Sequence, residues 1–411
     1  MNRMNTTKIL KCAGLAALAG LALAIPSLSR AQSVATTYQI DPAHTGASDA
    51  PNIVYPLVQK WAVSLPGNIS YPIIARGKIF VTVADPTVGE VKLYALNEAT
   101  GAIVWGPLAI GSQWNDVNAT YDNDTVFVND TGTFQAFNAD TGAIKWTAPL
   151  PLQTSFVAPP TAANGTLYVV GAGDGGTLYS VRESDGHVNW SIPITSDSGV
   201  TVGSDGIYLS PSGKEALKVN TLTGATIWHA PPDEIGQGSI GALYQGDFFV
   251  REPFAFQTSN GAEYDAASGA SVGSFNAIPA PAFDNGLAFF LSGNTLSGNT
   301  ISTQSQAWSL TSASTDPFVT APLAAGGAVI EGTSSGSLAA YNQSTGAVVW
   351  TANAGAKLSA PQEFSFAVPV TGLAAAGGLV VVPAAQSLVA YGSASADITA
   401  SVHVLSSALT Q

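Results

Sequence analysis

Cysteine is nearly absent from this chain of 411 residues: the single one, Cys12, lies in the first thirty positions. A disulfide framework is therefore excluded, and so is a thiolate metal site beyond that point. Charge is scarce as well, at 10% of residues against about 25% in ordinary soluble domains. It is also one-sided, with 14 Lys+Arg facing 27 Asp+Glu. Such a field makes nucleic acid and anionic lipid poor partners. After residue 31 only three arginines remain: Arg76, Arg182 and Arg251. The four histidines, His44, His187, His229 and His403, form no His-x-His or His-x-x-x-His pair, which leaves zinc unsupported. Gly-x-Ser-x-Gly, the phosphate-binding loop and the dinucleotide fingerprint are missing in usable context.

The one apolar run of note, Ala13–Ile25, is short for a membrane span. It follows the basic side chains Arg3, Lys8 and Lys11 and precedes Ser29-Arg30-Ala31, a small-x-small pattern, so residues 1–31 read as a secretory signal cleaved before Gln32. Their removal takes four of the 14 basic groups and none of the 27 acidic ones, moving the formal charge from −13 to −17. The mature protein is expected to be periplasmic or secreted, with no cysteine, lipid or integral membrane segment.

What the chain does have is a repeat. Tyr94 to Trp105 contains Asn97-Glu98-Ala99-Thr100-Gly101 and ends on tryptophan four residues after the glycine. The same spacing returns at Gly142 and Trp146, Gly186 and Trp190, Gly224 and Trp228, and Gly346 and Trp350. A sixth copy, Asp265 to Gly269, has Gly273 where tryptophan belongs; Trp308 keeps the tryptophan without the turn, and Trp61 stands without an upstream copy. Periods of 35 to 45 residues belong to propeller blades. Within one period the pattern gives four short strands, as at Tyr71–Ala75, Lys78–Ala84, Val91–Leu96 and Ala102–Pro107. Glycine suits a turn needing positive φ, and the Asn or Asp side chain can bond the turn's own backbone. Each tryptophan is expected to fill the wedge between blades and donate its indole N–H to a carbonyl.

These features predict an all-β, eight-bladed propeller of four-stranded antiparallel blades over residues 55–392. After Trp350 the strand-like stretches are Phe364–Val370, Leu379–Val382 and Ser387–Tyr391, and Leu57–Ser64, carrying Trp61, is expected to close the last blade as its outer strand. Residues 32–54 form a leader containing Asp41-Pro42-Ala43-His44-Thr45-Gly46, with a packing or hydrogen-bonding role expected for His44. Residues 393–411 form an Ala/Ser-rich tail.

The repeats resemble the quinoprotein-type family, whose blades carry Ala-x-Asp-x-x-Thr-Gly-x-x-x-Trp. Ala95, Ala136 and Ala340 match its alanine, while Asn97, Asn138 and Asn342 replace its aspartate. The resemblance implies either a dehydrogenase using pyrroloquinoline quinone and calcium or a non-catalytic scaffold such as the lipoprotein of the outer-membrane barrel-assembly machinery. The former class implies a calcium site, a catalytic aspartate, an arginine by the quinone and, in many members, adjacent cysteines. The lack of cysteine and the shortage of arginine point to the scaffold, with no cofactor and no catalytic or metal residue assigned.

The reading is thus an exported binding or assembly module with a protein, peptide or polysaccharide ligand in the cell envelope. The alternatives are a quinone-dependent oxidoreductase and a polysaccharide hydrolase or lyase using carboxylates such as Glu234, Glu252 and Glu363. Loops joining consecutive blades gather with the links between second and third strands on one face around the axis. The candidate binding residues there are Gln113, Trp114, Asn115, Arg251, Glu252, Phe254, Phe256 and Glu363. Trp114 is singled out by lying off the tryptophan register, and Arg251 is expected to act as an exposed anchor whose loss spares stability.

Overall fold

The computed structural model describes residues 33–394 apart from 113–116, 131, 157, 172–175, 195, 197, 233–237, 253–259 and 364–367. Residues 1–31, the tail beyond 394 and His403 lie outside it. Eight sheets form the blades of a propeller, all pairings antiparallel except that leader residues Ala47–Ser48 add in parallel to Leu323–Ala325 of the seventh. The first has strands Ile73–Ala75, Lys78–Asp85, Glu90–Asn97 and Ile103–Ser112, and the fifth Ala242–Tyr244, Asp247–Arg251, Asn260–Asp265 and Ser271–Asn276. The sixth comprises Ala282–Asp284, Leu287–Ser292, Thr295–Thr300 and Ser305–Thr311. Leu57–Ser64 pairs antiparallel with Ser387–Ser393 and completes the eighth blade, so the N-terminal strand does close the ring.

Burial explains the strand patterns. Second strands are buried on both faces, as in the near-continuous apolar run of Lys78–Asp85, because each lies between neighbouring blades. Outer strands alternate, as in Val188–Pro193, because one face meets solvent. The eighth blade departs from expectation at its inner strand, which is Ala374–Ala376. The described part of Phe364–Val370 carries no strand; Val370 is instead buried in the link beside Tyr38 and Tyr71.

The Thr-Gly turn works as a side-chain clamp. Asn97 Oδ1 accepts from Ala99 N at 3.1 Å and from Thr100 N and Oγ1, both at 3.0 Å, and Gly101 sits at φ +71°. Asn138, Asn220 and Asn342 repeat the arrangement. The acceptor is one oxygen, so asparagine serves where the family uses aspartate. A Cβ on Gly101 would lie 2.6 Å from the Trp61 ring. The glycine therefore admits both the turn and the tryptophan of the preceding blade. Trp105, Trp146, Trp190 and Trp228 each donate Nε1 to the carbonyl three residues before that glycine in the next blade, Ala139, Glu183, Thr221 and Ala266, at 2.8–3.1 Å. Trp308 and Trp61 do the same to Gln343 and Glu98, and Trp350 donates to Leu57. The family's alanine has its reason here too: Ala95, Ala136 and Ala340 lie opposite Trp105, Trp146 and Trp350 across the sheet.

Candidate functional site on the loop face

The leader is part of the ring. Ala35 and Ile74 exchange backbone hydrogen bonds at 2.9 Å, and the carbonyls of Thr36, Pro42, Ala43, Thr45 and Gly46 accept from Tyr121, Val202, Leu243, Phe283 and Ala324. Thr37 Oγ1 donates to Pro160 O, and Ser33 Oγ accepts from Gly377 N. One segment thus reaches all eight blades, using the inner-strand groups that a propeller otherwise leaves unpaired at its axis. Gln39 donates to Ala280 O at 3.1 Å and Pro281 O at 3.2 Å. His44 is 1% exposed, with Nδ1 2.7 Å from Tyr38 O and Nε2 3.1 Å from Val200 O. Burial lowers its pKa, opposed by those two carbonyls.

Within the leader, the Tyr38 hydroxyl donates to Glu363 Oε1 at 3.1 Å. Glu363 comes from the link between the seventh and eighth blades. Its Oε2 is 2.6 Å from Arg251 Nη2 and accepts from Ile240 N at 3.3 Å. Arg251, at the end of the second strand of the fifth blade, also donates to Ile278 O at 2.6 Å and Ile240 O at 3.0 Å. Burial, and then the Glu363 charge, hold the Tyr38 hydroxyl well above the usual phenol range. The network fixes three links between blades to the leader.

Beside it opens a groove of about 490 Å³, walled by Ile278, Leu291, Phe318 and Val319 and edged by Arg251, Gln362 and Glu363. Two of the sequence-chosen residues, Arg251 and Glu363, therefore meet at one site. Glu252 is fully buried and does not line the groove. Gln113, Trp114, Asn115, Phe254 and Phe256 lie outside the described residues, as does Glu234. The expectation of an exposed Arg251 anchor is corrected: the side chain is 1% exposed and both of its terminal nitrogens donate inside the protein. The hydrogen-bonding role expected for His44 in the leader is the one it fills. What the sequence reading missed is that the leader touches every blade, because most of those bonds are made by backbone carbonyls, which any residue supplies.

A buried carboxyl unforeseen from sequence lies near the groove. Glu331 Oε1 accepts from Thr320 Oγ1 at 2.5 Å and Gly332 N at 3.3 Å, while Oε2 has no partner among the described residues. Burial pushes its pKa up to about 8. Among the described residues no cluster of three or more His, Cys, Asp or Glu side chains is placed to hold a metal, and no helix is long and apolar enough to cross a membrane.

Comparison with known proteins adds the following. The family model described as outer membrane protein assembly factor BamB matches residues 87–271 and 255–400. No curated protein matches the chain in sequence. Among solved structures, BamB from Moraxella catarrhalis superposes with a TM-score of 0.62 at 14% identity, covering 82% of this chain and 100% of that one. Quinohemoprotein alcohol dehydrogenase from Comamonas testosteroni gives 0.67 at 15%, covering 88% and 81%. Quinohemoprotein alcohol dehydrogenase ADHIIG from Pseudomonas putida HK5 gives 0.63 at 12%, covering 87% and 80%. At these identities the structural likeness speaks for the fold.

Proposed function

Since the chain belongs to the family of the outer membrane protein assembly factor BamB, we propose that it is an exported, non-catalytic scaffold that binds a protein partner of the cell envelope on its loop face. The observation that carries this reading is the groove of about 490 Å³ beside a leader-filled axis. Its apolar wall and polar edge suit an extended polypeptide, where side chains are buried and the rim supplies hydrogen bonds.

The quinone reading of the same fold finds an arginine and a carboxylate at the axis, Arg251 and Glu363, and this is the feature that favours it. Against it, both Glu363 oxygens and both terminal Arg251 nitrogens are engaged within the protein. Tyr38, Tyr71, Ile240, Ala280 and Val370 are buried together along the axis, where a flat cofactor would have to lie. The described residues do not fit quinone and calcium, so no oxidation step is assigned. Nor do Glu252, fully buried, and Glu363, ion-paired, form the facing carboxylates that glycoside hydrolysis requires.

A photo-crosslinking side chain at Gln362, an exposed position on the groove's edge, tests the proposal in cells that export the protein. A discrete adduct with an envelope protein is expected, lost when Ala360→Lys obstructs the groove. Adducts that persist unchanged in the obstructed protein, or that form equally from Asn97 on the opposite face, would reject the groove as the site.

A further inference from the structure

Between the fifth and sixth blades the tryptophan packing is exchanged at three positions at once. Gly273 stands where the outer-strand tryptophan belongs. Opposite it, where Ala95 faces Trp105 or Ala340 faces Trp350, stands Glu263. In the sixth blade Gln304, four residues before Trp308, takes the place of the turn glycine at φ +50°. Its side chain crosses to donate to Glu263 Oε2 and Val272 O, both at 3.2 Å, and its amide nitrogen would lie 2.5 Å from a Cβ on Gly273. The exchange bars a resident tryptophan without refilling its space. A pocket of about 470 Å³ remains, lined by Phe249, Phe275, Phe290, Ile301 and Gln304 and rimmed by Ser274, Asn276, Ser297 and Asn299.

The other clefts show what such a pocket holds. Phe80, Phe127, Tyr168, Tyr208 and Phe289, each paired across the sheet with the residue that faces the blade's tryptophan, lie 5.7–6.3 Å from the blade's own tryptophan ring. Phe249 is the corresponding residue of the fifth blade and meets Phe275 at 5.8 Å instead. The carbonyl corresponding to the indole acceptors, three residues before Gln304, is that of Ile301 at the pocket wall, which accepts from Gln304 N at 3.1 Å and has a second lone pair for a further donor. Glu263 adds a second acceptor at the inner end, its pKa raised to about 7 by burial and then by the Asp247 charge. Aromatic walls with acceptors at one end are what an indole requires, and a volume of this size lies in the ordinary range for ligand pockets, about 300–1,000 Å³.

We propose that this interblade pocket receives the tryptophan side chain of another polypeptide, taking in trans the ring that seven other clefts receive in cis. The site shares no lining residue with the loop-face groove and does not rest on the function proposed for it. Fluorine NMR with N-acetyl-5-fluorotryptophanamide is the test, run on the full chain beside 5-fluoroindole and with N-acetylleucinamide as competitor. Saturable one-site binding of the tryptophanamide is expected, displaced at least tenfold less readily by the leucine compound than by unlabelled N-acetyltryptophanamide. Affinity should fall at least tenfold in G273W/Q304G, which restores the repeat pattern, and in N299W, which fills the pocket from the sixth blade; both variants are first checked for an intact cooperative melt. Absence of binding, binding of free fluoroindole alone, equal displacement by leucine, or binding retained in either folded variant would overturn the proposal.

Discussion

At the scale of single residues, stability and recognition are separable. Trp350 is 5% exposed and bridges to Leu57 O of the closing strand, so Trp350→Ala should cost about 3–5 kcal/mol in denaturant unfolding. Gly101 and Gly77 have nearly the same φ, +71° and +68°, but only Gly101 faces a ring. Gly77→Ala should cost about 1–2 kcal/mol for the left-handed conformation alone. Gly101→Ala should cost clearly more, since Trp61 must move. Arg251→Ala should also destabilise, by about 3–5 kcal/mol, because it leaves Glu363 charged and poorly compensated in a buried site. An unchanged melting temperature would contradict the buried ion pair. Glu331 gives a pH test. Its folded pKa of about 8 lies above the ordinary 4.5, so the folded state holds a proton that the unfolded chain has released. Its contribution is complete below about pH 4.5 and is lost as pH rises toward 8, on the order of 4–5 kcal/mol for a shift of this size. Glu331→Gln should flatten that decline, read as the difference in unfolding free energy from wild type between pH 5 and pH 8.

At the scale of elements, the strands and turns were largely legible and the leader was not. The repeat could be read because its signals are local: a side-chain clamp at Asn97, a glycine at positive φ and a tryptophan at fixed spacing. Leu57–Ser64 could be placed as the closing strand because Trp61 kept the tryptophan when its turn was lost. The last inner strand was missed because Ala374–Ala376 carries no apolar alternation, while Phe364–Val370 has strand-like composition yet contributes Val370 to the axis. The cleft between the fifth and sixth blades was visible only as a missing tryptophan, since the matching changes at Glu263 and Gln304 lie 10 residues before and 31 after Gly273 and meet only in the folded chain. For the candidate site, residue type pointed to Arg251 and Glu363 but could not show them bonded to each other. The leader can now be tested as an element. Starting the chain at Val54 keeps the closing strand but strips the inner strands of their carbonyl partners. That protein should unfold at markedly lower denaturant and expose its axis to hydrogen exchange at Tyr121, Leu243 and Ala324; equal protection at those amides would mean that the leader is dispensable.

At the scale of the molecule, the ring is closed at the rim by a strand from one end of the sequence and at the axis by the segment just before it. Both devices pair backbone that would otherwise be left open, which suits a chain without disulfides in the described fold. The same closure bears on the quinone reading, since the axis is taken up by the chain itself, and the two cavities described above lie beside it on the loop face and between the fifth and sixth blades. The most direct test is titration of the protein with pyrroloquinoline quinone and calcium, with dye-linked oxidation of alcohols and aldose sugars measured at each step. The account predicts no saturable quinone binding and no turnover above the protein-free control. Stoichiometric binding accompanied by substrate-dependent dye reduction would contradict it.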